Sequence, residues 1–225
     1  MLYACIIIQR YNNGRIMPRP PSGTDLKLRR AGRRLLQERG LTGLSVRETC
    51  RKARVNTGMF HYYFGSREEF LRAVLKDIYA EFMENFKAVV SAGGTPRERL
   101  KNALIEVGRF ARVMRGAAPV LFADMAYGNR EAFGFLSSNF TEHMSHIATL
   151  ARQCRPASAL RSRSVPFLVV SLIPVMVFPV LIGGVMERNG VKNVLEIPLK
   201  RLSQEIFSDE GIAARAEIAL RGVGL

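Results

Sequence analysis

Two groups of side chains in this sequence have types and spacing that suit chemistry. Ser45, Arg47, Asn56, Thr57, His61, Tyr62, Tyr63 and Arg67 crowd into one short segment. Hydroxyls, side-chain amides, guanidiniums and the free amides of helix starts are the groups that hold phosphate oxygens. The second group is His143 and His146, three apart on one expected helix face, which could offer two nitrogens to a metal ion. A closed zinc site needs four ligands, no further histidine lies in that half of the chain, and Cys154 is two turns beyond His146. No metal is therefore expected. Cys5, Cys50 and Cys154 are odd in number and far apart, so neither a disulfide framework nor a C-x-x-C site is read from them, and a reducing compartment is expected. No nucleophile elbow, Walker loop, GxGxxG turn or paired-carboxylate constellation occurs, so neither an enzyme nor a cofactor is expected.

Charge points toward an anionic partner. The 225 residues hold 34 Lys+Arg against 19 Asp+Glu, a formal net charge of +15. Residues 1–76 hold 16 of those cations and 5 of the anions, so about three-quarters of the excess lies in the first third of the chain. A basic surface there would attract a polyanion and release its counterions, as it would also be drawn to an anionic membrane. The 48% hydrophobic content excludes a mainly disordered chain and suffices for a sizeable core in one or two domains.

The elements that must position these groups read as helices, for strand-like alternation is nearly absent. Ser45-Val-Arg-Glu48, Ser66-Arg-Glu-Glu69 and Thr95-Pro-Arg-Glu98 each fit the capping box of a helix start, and Pro96 at the first helical position strengthens the third. Leu28, Ala31, Gly32, Leu35 and Leu36 keep helical spacing up to Gly40, a C-terminal cap. The expected helices lie near 25–39, 45–52, 56–63, 67–90, 96–114, 117–127, 130–154, 162–187 and 209–222, about nine in all. Residues 1–24 read as a flexible arm: MLYACIIIQR lacks the basic flank and cleavage site of a secretory signal, and the Pro-rich stretch after Met17 suggests Met17 as the true start. Val165–Met186 contains no charged residue and is as long as the ~20 residues that span a bilayer, but Pro166, Pro174, Pro179 and Gly183-Gly184 weaken a continuous span. A helix apolar all round suits equally a site between a soluble core and a partner subunit.

The first three helices have the proportions of a helix-turn-helix module, with the tight turn at Ala53–Val55. SVRETCRKARVNTGMFHYYFGSREEFLRAVL, residues 45–75, resembles the DNA-binding signature of the TetR family of bacterial transcriptional regulators, and LLQERG before it also fits. The resemblance implies an all-α chain with a helix-turn-helix domain at 25–75 and a larger helical domain at 76–225 for effector binding and dimerisation. It makes Asn56 through Tyr63 the recognition segment, with Thr57, Gly58, Met59, His61 and Tyr62 toward the major groove and Val55, Phe60 and Phe64 inward. Tyr63, Arg67, Ser45 and Arg47 would meet phosphate. The sequence departs from the family pattern at Arg54, where a turn glycine is usual, at Thr49, and at Arg29 and Arg33, where apolar residues are usual.

For the larger domain the resemblance implies a pocket, for which Phe110, Met114, Phe122, Met125, Phe140, Met144 and Met176 are the candidate lining, since Met and Phe suit varied apolar ligands. Glu106, Asp124 and Glu142 are the acidic side chains nearby. It also recasts the apolar run as a dimer helix, packing with the last helix and their mates. The expected function is a cytoplasmic, nucleoid-associated homodimeric regulator, a repressor that leaves a palindromic operator when a hydrophobic molecule binds. The alternative is a single-span membrane protein with a cytoplasmic DNA-binding head.

Overall fold

The computed structural model describes residues 23–40, 44–128, 130–154 and 163–225. The N-terminal arm, Met17 and Cys5 lie outside the described residues. Among the described residues ten helices and one two-stranded hairpin follow in order: α1 Thr24–Arg39, α2 Val46–Ala53, α3 Thr57–Phe64, α4 Arg67–Ser91, α5 Pro96–Met114, α6 Ala118–Ala126, α7 Arg130–Gln153, α8 Val165–Arg188, β1 Asn193–Val194, β2 Ile197–Pro198, α9 Leu199–Phe207 and α10 Asp209–Gly222. The protein is all-α, with a small three-helix head and a larger helical body. Each helix expected from the sequence is present within a few residues of its expected bounds. The hairpin and α9 were not expected.

Local sequence sets the boundaries. Ser45, Ser66 and Thr95 each accept a hydrogen bond from the amide three residues on, as a capping hydroxyl should. The reciprocal bond of a full capping box is made by Glu98, whereas Glu48 turns to Arg51 and Arg39, and Glu69 to Arg72. Nearby guanidiniums outcompete the cap for those two carboxylates. The turn between α2 and α3 passes through Arg54 in the left-handed region, φ 56° and ψ 46°, where a glycine would carry no steric cost.

Helix α4 belongs to both parts. Its first half, Phe70, Val74, Leu75 and Ile78, is buried with Leu28, Leu35, Leu36, Cys50 and Phe60 in the head. Its second half, Phe82, Met83, Phe86 and Val90, is buried in the body with Leu100, Leu104, Leu172, Met176 and Ile212. The head core runs past residue 75 and takes in Met114 from the end of α5 and Ala117 from just before α6. Gly32 lets α1 lie close on α4, since a Cβ there would meet the Phe70 ring at 2.5 Å. Arg29 and Arg33 then reach across to α4: the Arg29 guanidinium lies 3.1 Å from Asp77, and Arg33 pairs with Glu81 one turn on. The two charges that break the usual apolar pattern of this helix thus meet two carboxylates at the same helical spacing. Thr49, wholly buried, returns its hydroxyl to the Ser45 carbonyl at 2.8 Å, so it leaves no unmet polar group in the head.

Candidate nucleic-acid interface and interior cavity

Helix α3 divides its residues by face. Phe60 is fully buried, and Val55, Tyr63 and Phe64 pack on the same core. Asn56, Thr57, Gly58, His61 and Tyr62 are exposed, and Met59 is half-buried. Two neighbouring tyrosines cannot share one face of a helix: Tyr62 is 56% exposed, while Tyr63 lies against the core and meets the Tyr62 ring edge-on at 5.2 Å. The outward row of α3 therefore runs through Thr57, Gly58, His61 and Tyr62.

Several of these groups have a local duty that fixes what they can still offer. The Asn56 carbonyl oxygen accepts from the Met59 amide at 2.9 Å, which leaves its NH₂ as the outward group. Ser45 accepts from the Glu48 amide at 3.1 Å, which leaves its hydroxyl proton for a phosphate oxygen. His61 Nδ1 lies 3.0 Å from the Gly65 carbonyl. A carbonyl only accepts, so Nδ1 carries the proton and the neutral ring keeps Nε2 as an acceptor, able to take a hydrogen bond from a base amino group. Arg47 is exposed in the first turn of α2. Arg67 is the surprise: its Nε donates to the Leu44 carbonyl at 2.8 Å, so this half-buried guanidinium ties the start of α4 to the residue before Ser45. Nothing in the residue types near Arg67 foretold that tether.

In the body, α4, α5, α6, α7 and α8 enclose a cavity of about 360 Å³, within the ~300–1,000 Å³ range of small-molecule sites. Phe110, Met114, Phe122, Met125, Phe140 and Met144 line it. Met176 does not. It is wholly buried in the body core, its methyl 2.9 Å from where a Cβ on Gly108 would stand, because the α8 face that carries it turns to α5 and α10. The acidic residues named with the pocket are not in its lining. Glu106 pairs with Arg109 at 2.6 Å, Glu142 with Lys87 at 2.6 Å, and Asp124 is exposed.

Two polar residues also line it that were not among the candidates: Tyr79 of α4 and His143 of α7. The signal was available for His143, which is one residue before Met144 and three after Phe140 on the same helix. Tyr79 Oη and His143 Nδ1 lie 3.2 Å apart. Around them stand Phe82, Phe110 and Phe140, with ring centroids 5.7, 6.1 and 6.2 Å from that of Tyr79. Burial drives the His143 pKa down to about 4, opposed by the nearby Glu142 charge and aided by His146. Burial, with Glu142, pushes the Tyr79 hydroxyl up to about 12. His146, whose spacing from His143 raised the question of a metal, is exposed while His143 is 1% exposed, so the two do not form a common donor set.

Cavity and head share side chains. Leu75 and Met114 line the cavity and belong to the head core, and Phe110, Ala118 and Leu121 line it and pack on that core. Beside them α1 meets the turn between α5 and α6 at bare backbone: a Cβ on Gly116 would stand 2.7 Å from the Leu36 carbonyl, and Arg188 of α8 donates to the Gly116 carbonyl.

A basic three-helix head with one outward-facing short helix, set on a helical body, is a helix-turn-helix arrangement joined to a larger helical unit. Residues 28–74 match the family model of bacterial regulatory proteins, tetR family. The HTH-type transcriptional regulator BetI of Rhizobium meliloti is 34% identical over 77 residues, which are 34% of this chain and 37% of that protein. The likeness to these curated relatives thus spans little more than a third of their length. A TetR-family protein of Rhodococcus sp. has the same fold, with a TM-score of 0.62 at 20% identity over 91% of this chain and 100% of that one. So does a Saccharomonospora viridis protein solved in complex with choline, with a TM-score of 0.63 at 13% identity over 89% of this chain and 97% of that one. Residues 28–74 thus carry the sequence signature of the tetR family's regulatory proteins, the likeness over the rest of the chain is one of fold, and the curated relatives that match are transcriptional regulators.

Proposed function

We infer that this protein is a cytoplasmic one-component repressor that binds a palindromic operator as a homodimer and releases it when a hydrophobic molecule fills the cavity. The observation that carries this reading is the shared wall between cavity and head. A guest pressing on Leu75, Met114 and Leu121 presses on side chains that also support the head. Coupling follows by population shift: the ligand must prefer the arrangement in which the two heads no longer fit two half-sites, or it moves nothing. Thr57, Gly58, Met59, His61 and Tyr62 are the proposed base-facing residues. Asn56, Ser45, Arg47, Tyr63 and Arg67 are the proposed phosphate contacts. Selection of bound fragments from random DNA tests this directly. A palindrome with half-sites one helical turn, roughly 34–36 Å, apart supports the reading, and a sequence-independent pool would overturn it.

The second reading, a single-span membrane protein with a DNA-binding head, has one observation in its favour. Helix α8 has a mean hydropathy of 2.6 over 18 residues, and 22% of that stretch is buried within the chain. Its inner residues Leu168, Leu172, Met176 and Val180 are fixed in the body, however, so a second subunit is the better cover for its outer face. Carbonate extraction separates the two, since a membrane span stays in the pellet.

A further inference from the structure

We propose that the cavity selects an uncharged, mainly apolar molecule carrying one hydrogen-bonding group, which docks on the Tyr79–His143 pair. The inference rests on the cavity being the effector site. Among the described residues, none of those that line it is Asp, Glu, Lys or Arg, and besides methionine sulfur only Tyr79 and His143 bring a polar side-chain group. Those two are already joined at 3.2 Å, and the bond has two forms. If Tyr79 donates to Nδ1, the phenol oxygen keeps a lone pair for a guest donor. If Nδ1–H donates to the phenol oxygen, the Tyr79 proton is left for a guest acceptor. A hydroxyl, carbonyl or ether can therefore be met without moving either side chain.

Charge is refused by the same geometry. A guest carboxylate would leave water for a lining that offers no cation among the described residues, and a quaternary ammonium would leave water for one that offers no anion among them. With His143 near 4 and Tyr79 near 12, the pair itself is uncharged at neutral pH. The rings of Tyr79, Phe110 and Phe140 offer a cation a π face, but no carboxylate among the described residues lines the cavity to complete a cation site. Glu142, the nearest anion on α7, is exposed and held by Lys87. This chain is thus expected to differ from its choline-bound structural neighbour.

Four compounds of one shape decide the matter: naphthalene, naphthol, naphthoate and naphthyl-trimethylammonium, titrated calorimetrically into the full-length protein near pH 7. Naphthol should bind about 3- to 10-fold more tightly than naphthalene, the worth of one hydrogen bond, and the two ions should not bind measurably. Tyr79→Phe should cancel naphthol's advantage and leave naphthalene binding in place, which also certifies that the variant folds. Ions binding as tightly as naphthol, an advantage that survives Tyr79→Phe, or no binding by any of the four would overturn the proposal. Operator binding followed in parallel keeps the two readings apart. Naphthol that binds without releasing DNA supports the pocket chemistry and sinks the regulatory reading, whereas ions that bind and release DNA do the reverse.

Discussion

Arg54 holds a backbone conformation that suits glycine, φ 56° and ψ 46°, at the turn on which the whole reading head depends. Arg54→Gly should raise stability by about 1 kcal/mol, seen as a higher urea midpoint at unchanged slope, because the side chain is exposed and only the backbone strain changes. Different residues of the head should fail in different ways. His61→Ala and Tyr62→Ala remove the groups proposed to face bases and should lower preference for the operator over other DNA. Arg47→Ala should weaken all DNA alike and flatten the salt dependence, which competition titrations at several salt concentrations will separate. His143 makes stability depend on pH. Its pKa in the folded protein is about 4 against an ordinary value of 6.5, so between those limits the unfolded chain takes up a proton that the folded one refuses. Stability is then full above about pH 6.5 and falls as pH drops toward 4, by about 3 kcal/mol in all. Denaturant titrations of the protein and of His143→Phe should differ in slope across that window. Equal pH dependence in both would mean that the ring is solvated.

At the scale of elements, the joint between head and body is the part most open to test. Two matched ion pairs, Arg29–Asp77 and Arg33–Glu81, hold α1 on α4, and being half-exposed they are worth only about 0.5–1 kcal/mol each. The backbone contact at Gly116 is stricter, because a methyl there would need the Leu36 carbonyl to retreat. Gly116→Ala should therefore loosen the head from the cavity wall. Operator affinity is expected to change by no more than a few-fold while the response to cavity ligands falls, measured by anisotropy of labelled operator with and without naphthol. This joint illustrates what the sequence could and could not reveal. Hydroxyl caps, Gly40 and 3.6-residue spacing fixed where α1 to α8 begin and end, since those signals are local. The hairpin was hidden because its turn, Leu195-Glu196, has φ of 47° and 66° without the glycine or asparagine that marks such turns. Met176 was misplaced because spacing says that a residue is buried but not which neighbour covers it. Tyr79 and Arg67 depend on partners far along the chain or on a carbonyl, neither of which leaves a pattern in residue types.

For the whole molecule, the uneven charge and the apolar helix describe two surfaces of different chemistry, one suited to a polyanion and one to apolar cover. The head carries the cations that should make operator affinity fall steeply with salt. The body carries on α8 an outward stripe, Phe167, Val170, Pro174, Phe178 and Val185, with Ile218 of α10 also exposed. Helix α10 packs with α8 in one core, so the two form a natural platform for an isologous contact with a second copy. Val175 points inward onto the body core, and a lysine there would report on folding rather than assembly. Phe178, 58% exposed, and Val170, 65% exposed, are the positions that report on assembly alone. Phe178→Lys leaves the charge in water in a monomer but buries it twice, unpaired, in a dimer formed through this face. The dimer dissociation constant should rise about 100-fold or more, with unfolding of the subunit little changed. Sedimentation velocity across a concentration series measures the first effect and circular dichroism the second. Operator affinity should fall with dimerisation, because two heads on one palindrome share a single binding event. A Phe178→Lys protein that stays dimeric and binds operator as before would place the assembly surface elsewhere and leave the apolar face of α8 to be covered by something other than a second copy.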